Sequence, residues 1–227
     1  MSEHEQSKRL PTRVWDLPTR LFHWGLLVGI ATSYLSIEFQ NMDVHVISGA
    51  CVLGLLLFRL LWGIWGASTA QFHQFIPSPK RFYHYLRPER GTTSLRIGHS
   101  PLAALSVIAM LLAIATQSLT GLVADDDVFT TGPLISYVES EFSEWATGLH
   151  YTNSDILLGL VGLHLLAIVF YRVVKKQRLT KPMVTGRLVT DQQDIVVENP
   201  LEERSWFRFF LTAAISGAAV YAIFNLA

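Results

Sequence analysis

Long apolar runs alternate with polar and charged stretches along most of the chain. Five runs are long enough, or nearly so, to cross the hydrocarbon core of a membrane, which takes about 20 helical residues. They cover residues 21–37, 45–66, 101–123, 154–174 and 207–226. Because lipid offers the backbone no hydrogen-bond partners, each run is predicted to form a helix. The pattern predicts an all-α integral membrane protein, in which a four-helix transmembrane bundle is followed by a fifth, C-terminal transmembrane helix.

The same pattern divides the chain into four predicted regions: a cytoplasmic N-terminal tail, a four-helix membrane domain, a polar cytoplasmic linker and the additional helix. Their bounds are residues 1–14, 15–178, 179–204 and 205–227. The first helix is expected to begin before Leu21, near Trp15, with Pro18 in its first turns. No small-residue cleavage site follows this helix, so it is interpreted as an anchor rather than a removed signal peptide.

Basic side chains are confined to alternate connections between these helices. Every Lys and Arg except Arg59 lies before residue 21, in loop 67–99 or in segment 172–208. The other two connections carry acidic charges alone: Glu38, Asp43, Asp125, Asp126, Asp127, Glu139, Glu141 and Glu144. By the positive-inside rule the N-terminus is predicted to be cytoplasmic, and the two acidic connections and the C-terminus to lie outside.

Composition supports a membrane protein and narrows its chemistry. Half of the residues are apolar, 16% are charged and the mean hydropathy is +0.33, which is high for a soluble domain. Cys51 is the single cysteine, so an intrachain disulfide or a cysteine-ligated metal cluster is excluded. No nucleic-acid motif is present. The outer stretch LISYVESEFSEWATGL has apolar residues three or four apart and is predicted to form a short amphipathic helix, lying on the outer surface as a lid.

Four histidines fall inside or at the ends of the predicted membrane helices. His150 and His164 are fourteen residues apart on the fourth helix, so they share one face and lie about 21 Å apart along its axis. With the predicted topology, His45 lies at the outer level with His150. His23 lies at the inner level with His164. Each level therefore has two imidazoles from different helices.

Two imidazoles facing each other at one level suit the axial positions of a haem. A zinc site would need three or four ligands converging at one point. The alternative is that the histidines only form hydrogen bonds between helices. Arg59 lies fourteen residues after His45, where it is interpreted either as a partner of an inner haem propionate or as a snorkelling arginine.

Two further residues near the inner surface are weaker candidates. Arg20 is interpreted as snorkelling or binding an anionic group. His99, at the start of the third helix, is a candidate for a propionate, a proton path or a quinone site, with a surface role at the helix entry as the alternative.

Four motifs resemble, in order, those of the bacterial cytochrome b-561 family: RVWDLPTRLFHW, HVISGACVLGLLLFRLLWGIWG, GHSPLAALSVIAMLLAIATQSLTG and HYTNSDILLGLVGLH. The likeness covers about residues 13–175 and is strongest to the cytochrome b subunits of nickel–iron hydrogenases and to stand-alone di-haem cytochromes b. It implies two b haems in a four-helix bundle, with His23, His45, His150 and His164 as iron ligands. The fifth helix lies outside the shared region. Tyr151 stands where many relatives have an acidic residue.

The resemblance implies electron transfer between the quinone pool and a periplasmic partner in the bacterial inner membrane. The acidic outer face favours a basic c-type cytochrome as that partner. Three alternatives stay open: a superoxide:quinone oxidoreductase of the same family, the membrane subunit of a hydrogenase, and a non-catalytic anchor. A homo-oligomer is also left open. Superoxide is an anion, so the outer charge has the wrong sign to attract it.

Overall fold

The computed structural model describes residues 12–78, 80, 83, 101–128, 130–188 and 206–226. Five long helices dominate the described chain, and two shorter ones connect them. In chain order they are α1 Leu17–Glu38, α2 Met42–Trp65, α3 Phe72–Phe75, α4 Pro101–Gly121, α5 Ser140–Val173, α6 Thr180–Thr185 and α7 Trp206–Asn225. Strands β1 Thr12–Arg13 and β2 Arg187–Leu188 pair antiparallel. The prediction of an all-α membrane bundle is confirmed.

Four of the described helices are long and apolar enough to cross a membrane: α2, α4 from Leu102, α5 and α7. The first helix is less apolar, but its 22 residues pack along α2. It begins at Leu17 with Pro18 in its first turn, and the side chain of Asp16 accepts a hydrogen bond from the Thr19 amide. This Asp cap satisfies one of the amide groups left free at a helix start, and it places the beginning of α1 close to the expected position.

The bundle consists of two helical hairpins with a shared apolar centre. Close backbone packing joins α1 to α2, α4 to α5, and α2 to both α4 and α7. The central core cluster takes its buried members from α2, α4 and α5: Val52, Leu56, Ala113, Ile114 and Leu157. Leu26 and Ile30 of α1 pack against this cluster. The core lies between the levels of the two histidines of α5.

Helix α5 differs from its prediction. It is one continuous helix of 34 residues, about 51 Å long, so the predicted lid helix is wrong: residues 140–149 are its first turns. Ile135–Tyr137 forms a separate 3-10 turn, and Glu139 caps the longer helix in extended conformation. The apolar run does not mark the beginning of the helix, because no proline separates the polar turns from the apolar ones and the helix continues through both.

The segment after α5 folds back onto the start of α1. Arg20 donates a hydrogen bond to the Val184 carbonyl, and the Trp24 indole donates to the Met183 carbonyl at 3.2 Å. The Gly186 carbonyl accepts from the Val14 amide at 2.8 Å, where Gly186 adopts a φ of 74°. Residues 180–188, placed by the sequence in a linker, thus hold the N-terminal end of the bundle. Residues 189–205 lie outside the described residues.

Candidate functional site

The four bundle histidines meet as two pairs. The ring centroids of His45 and His150 are 6.2 Å apart with their planes at 80°. Those of His23 and His164 are 6.4 Å apart with planes at 56°. Each pair joins α5 to a different helix of the first hairpin, and the pairing matches the depths inferred from topology.

The spacing within each pair fits a metal ion between two trans imidazoles. A ligating imidazole nitrogen lies about 2 Å from its metal, which puts the two ring centres about 6 Å apart. No group of three or more His, Cys, Asp or Glu side chains able to hold a metal occurs within the described residues. Two separate two-histidine sites therefore agree better with axial ligation of haem than with a zinc site.

In the His45–His150 pair, called the outer pair after its predicted level, Nδ1 of each ring has a hydrogen-bond partner on another helix. His45 Nδ1 is 3.0 Å from the carbonyl oxygen of Ser33 and 3.1 Å from its hydroxyl. His150 Nδ1 is 3.1 Å from the hydroxyl of Thr120. Such contacts at the second ring nitrogen are typical of metal-binding histidines, because they fix the tautomer and the ring orientation.

Close packing also limits where the His150 ring can lie. A Cβ atom added at Gly121 would lie 2.9 Å from His150 Cε1. One turn before it on α4, the side chain of Gln117 accepts a hydrogen bond of 2.7 Å from Asn153. Asn153 also donates to the Ala113 carbonyl at 2.9 Å. These bonds bind α4 to α5 directly beneath the outer pair.

Arg59 is buried within the bundle, with 4% of its surface exposed. Its guanidinium lies over the Phe72 ring at 4.7 Å, and the Asp16 carboxylate is a nearby counter-charge. Asp16 also accepts a hydrogen bond of 2.8 Å from the Trp62 indole. This cluster joins the start of α1 to the end of α2.

Of the two other sequence candidates, Arg20 lies within the described residues and His99 does not. Arg20 contacts the returning segment through Val184, and its Nε is buried without a hydrogen-bond partner in the described chain. His99 lies outside the described residues. His73 is exposed on α3.

The sequence reasoning missed the polar residues that support the outer pair, namely Ser33, Thr120, Gln117 and Asn153. Gln117 and Asn153 carried a usable signal, since amide side chains inside an apolar helix usually bond to a neighbouring helix. Ser33 and Thr120 carried a weaker one, because hydroxyl groups are common in membrane helices and bond to their own backbone.

Comparison with known protein families identifies one match. The family model of prokaryotic cytochrome b561 matches residues 14–186. The chain belongs to this family. As a prokaryotic cytochrome b561, it is a multi-pass bacterial membrane protein that binds b-type haem and takes part in transmembrane electron transfer. A search of curated sequences finds no match.

The family match clarifies the bounds of the shared region. It ends at residue 186, later than the resemblance indicated, and so includes the returning helix α6. That helix contacts the beginning of α1 through the carbonyl groups of Met183 and Val184. The two ends of the matched region therefore lie against each other. Helix α7 lies beyond the match, and packs against α2.

Proposed function

We propose that this cytochrome b561 carries electrons across the bacterial inner membrane between the quinone pool and a periplasmic c-type cytochrome, through two b haems. His45 and His150 hold the outer haem, and His23 and His164 hold the inner one. The observation that carries the proposal is the meeting of four histidines in two pairs at 6.2 and 6.4 Å.

Two histidine ligands for each iron define the chemistry. A haem held by two histidines would have no coordination position left for oxygen, so it would supply one-electron transfer. The two histidines of α5 set the levels about 21 Å apart, and the apolar side chains of Leu56, Ile114 and Leu157 fill the bundle between the levels and exclude water. The chain thus supports an electron-transfer path with one haem near each membrane surface.

The direction of the bundle follows from charge. The basic residues next to α6 and before α1 favour a cytoplasmic position for the His23–His164 level. The acidic connections then lie in the periplasm, beside His45 and His150. Arg59 and Arg20 stay candidates for binding a propionate of the inner haem, and His99 for the inner quinone or propionate side.

The outer surface favours a positively charged partner. Glu139, Glu141 and Glu144 are exposed at the start of α5, and Asp127 is exposed in the loop before it. Since α5 begins ten residues before His150, these carboxylates lie on a helix end that continues about 15 Å past the outer ligand. A basic c-type cytochrome would be attracted there, and superoxide would be repelled.

Transport across a sealed membrane tests the proposal. Purified protein is placed in liposomes that contain ferricyanide, and dithionite is added outside. We expect the ferricyanide to be reduced at a rate far above that of protein-free liposomes, and His150→Ala to abolish the difference. A soluble ubiquinol analogue tests the quinone link: it should reduce the haem, as followed by the haem absorption band. Wild-type protein with two haems but no transport would contradict the proposal.

A further inference from the structure

The tautomer of His45 follows from its contacts. Its Nδ1 is 3.0 Å from the backbone carbonyl of Ser33, and a carbonyl oxygen only accepts hydrogen bonds. The proton of the neutral ring must therefore be on Nδ1, which leaves Nε2 with a free lone pair. This is the nitrogen available to the metal.

The tautomer of His150 follows from a two-step argument. The Thr120 hydroxyl donates its single proton to the Thr116 carbonyl, at 2.7 Å, in its own helix. Its oxygen can then only accept at the 3.1 Å contact with His150 Nδ1. His150 is consequently the donor, and its Nε2 also has a free lone pair.

The inner pair lacks this support at His23. His23 Nδ1 is buried and has no hydrogen-bond partner in the part of the chain that the structure describes, which comprises residues 12–78, 101–128, 130–188 and 206–226 with two single positions. An Nδ1–H that donates to an acceptor makes the imidazole a stronger electron donor at Nε2. His45 and His150 are therefore expected to donate more electron density to a bound iron than His23 does.

We propose that Thr120 is a positioning residue of the outer haem: beside the Gln117 backbone, which also has a hydrogen bond with the His150 ring, its hydroxyl oxygen holds His150 as the Nδ1–H tautomer and lowers the midpoint potential of that haem. This inference rests on the proposed function, since it takes His150 as an iron ligand. It gives α4, which carries none of the four ligands, a role in the redox chemistry. A stronger donor stabilises ferric iron more than ferrous iron, so loss of the bond raises the potential.

Thr120→Val removes the hydroxyl and keeps the shape of the side chain. Ser33→Ala is the matched control, because it removes a hydroxyl at 3.1 Å from His45 Nδ1 and leaves the carbonyl bond at 3.0 Å in place. Thr120→Ser is the conservative variant, because it retains the accepting oxygen. The readouts are haem content and a redox titration of the purified full-length protein.

Variant His150→Ala first identifies which of the two wild-type potentials belongs to the outer haem. We then expect Thr120→Val to raise that potential alone, Thr120→Ser to restore it, and Ser33→Ala to change it less. Two bound haems with unchanged potentials in Thr120→Val, or equal shifts of both haems, would overturn the inference.

Thr120→Val that loses the outer haem altogether would also support the inference. The condition is that Thr120→Ser retains both haems at wild-type potentials. Thr120→Ser that also loses the outer haem or shifts its potential like Thr120→Val would overturn the role of the hydroxyl. A wild-type protein without haem, or one in which His150→Ala loses none, would contradict the proposed function instead.

Discussion

At the residue scale, each histidine of α5 lies opposite an imidazole of the first hairpin, His150 opposite His45 and His164 opposite His23. Depth along each helix is fixed by the 1.5 Å rise per residue and by the topology, so the partners of His150 and His164 were predictable. The rotation of one helix against its neighbour was not, since it depends on packing. For this reason Thr120 and Ser33, which lie on other helices than the rings they contact, were not found.

Gly121 supports a prediction at this scale. In Gly121→Ala the new methyl group would lie 2.9 Å from His150 Cε1, so the ring must move away from the position proposed for an iron ligand. We expect the affinity for the outer haem to fall about tenfold or more, as for other changes next to a metal ligand. Haem content after dialysis against apomyoglobin measures this loss.

Gly148 provides the matched control, because a Cβ atom added there meets nothing within 4 Å. Gly148→Ala should retain both haems at the wild-type level. Equal haem loss in the two variants would show that the effect comes from helix glycines in general rather than from contact with His150.

At the element scale, the helix ends were predicted closely where a cap or an apolar boundary coincides with them. Pro18 indicated the beginning of α1, which the structure places at Leu17 after the Asp16 cap. The beginning of α5 was missed, because an amphipathic stretch continues into an apolar one without a break. Both stretches have helical periodicity, so the periodicity cannot show whether they form one helix or two. The return of α6 to α1 was also missed, because it depends on hydrogen bonds from Arg20 and Trp24 to backbone carbonyls, which any sequence offers.

Helix α7 is attached to α2 by a hydrogen bond that can be removed. The Trp65 indole donates to the hydroxyl of Thr212 at 2.9 Å, and Thr212 is fully buried. In Thr212→Val this indole loses its acceptor, at a cost of about 1 kcal/mol. We expect a lower midpoint of thermal denaturation in detergent, with both haems retained, because the four histidines lie on α1, α2 and α5.

Ser216→Ala is the control for this experiment. Ser216 is also buried, with 3% of its surface exposed, but its hydroxyl donates to the Thr212 carbonyl within the same helix. A denaturation midpoint that falls as far in Ser216→Ala as in Thr212→Val would argue against a specific bond between α2 and α7.

At the scale of the whole molecule, opposite ends of the bundle carry opposite charge, although the net formal charge is zero. We expect the rate of electron transfer to a basic c-type cytochrome to fall about tenfold or more from low to high salt. Replacing Glu139, Glu141 and Glu144 by Gln should weaken this salt dependence, as measured by stopped-flow spectroscopy.

The charge-matched control replaces Glu198, Glu202 and Glu203, which belong to the predicted cytoplasmic side, by Gln. This variant should retain the wild-type salt dependence. If it behaves like the outer variant, the acidic helix end is not where the partner docks.

The number and pairing of the haems test the central claim most directly. Pyridine haemochrome analysis of the purified protein should give two b haems per chain. His45→Ala and His150→Ala should each leave the same single haem, recognised by its α-band and midpoint potential, and His23→Ala and His164→Ala should each leave the other. His73→Ala, at an exposed position on α3, should leave both. One haem in the wild-type protein, or losses that pair His45 with His164, would contradict the account.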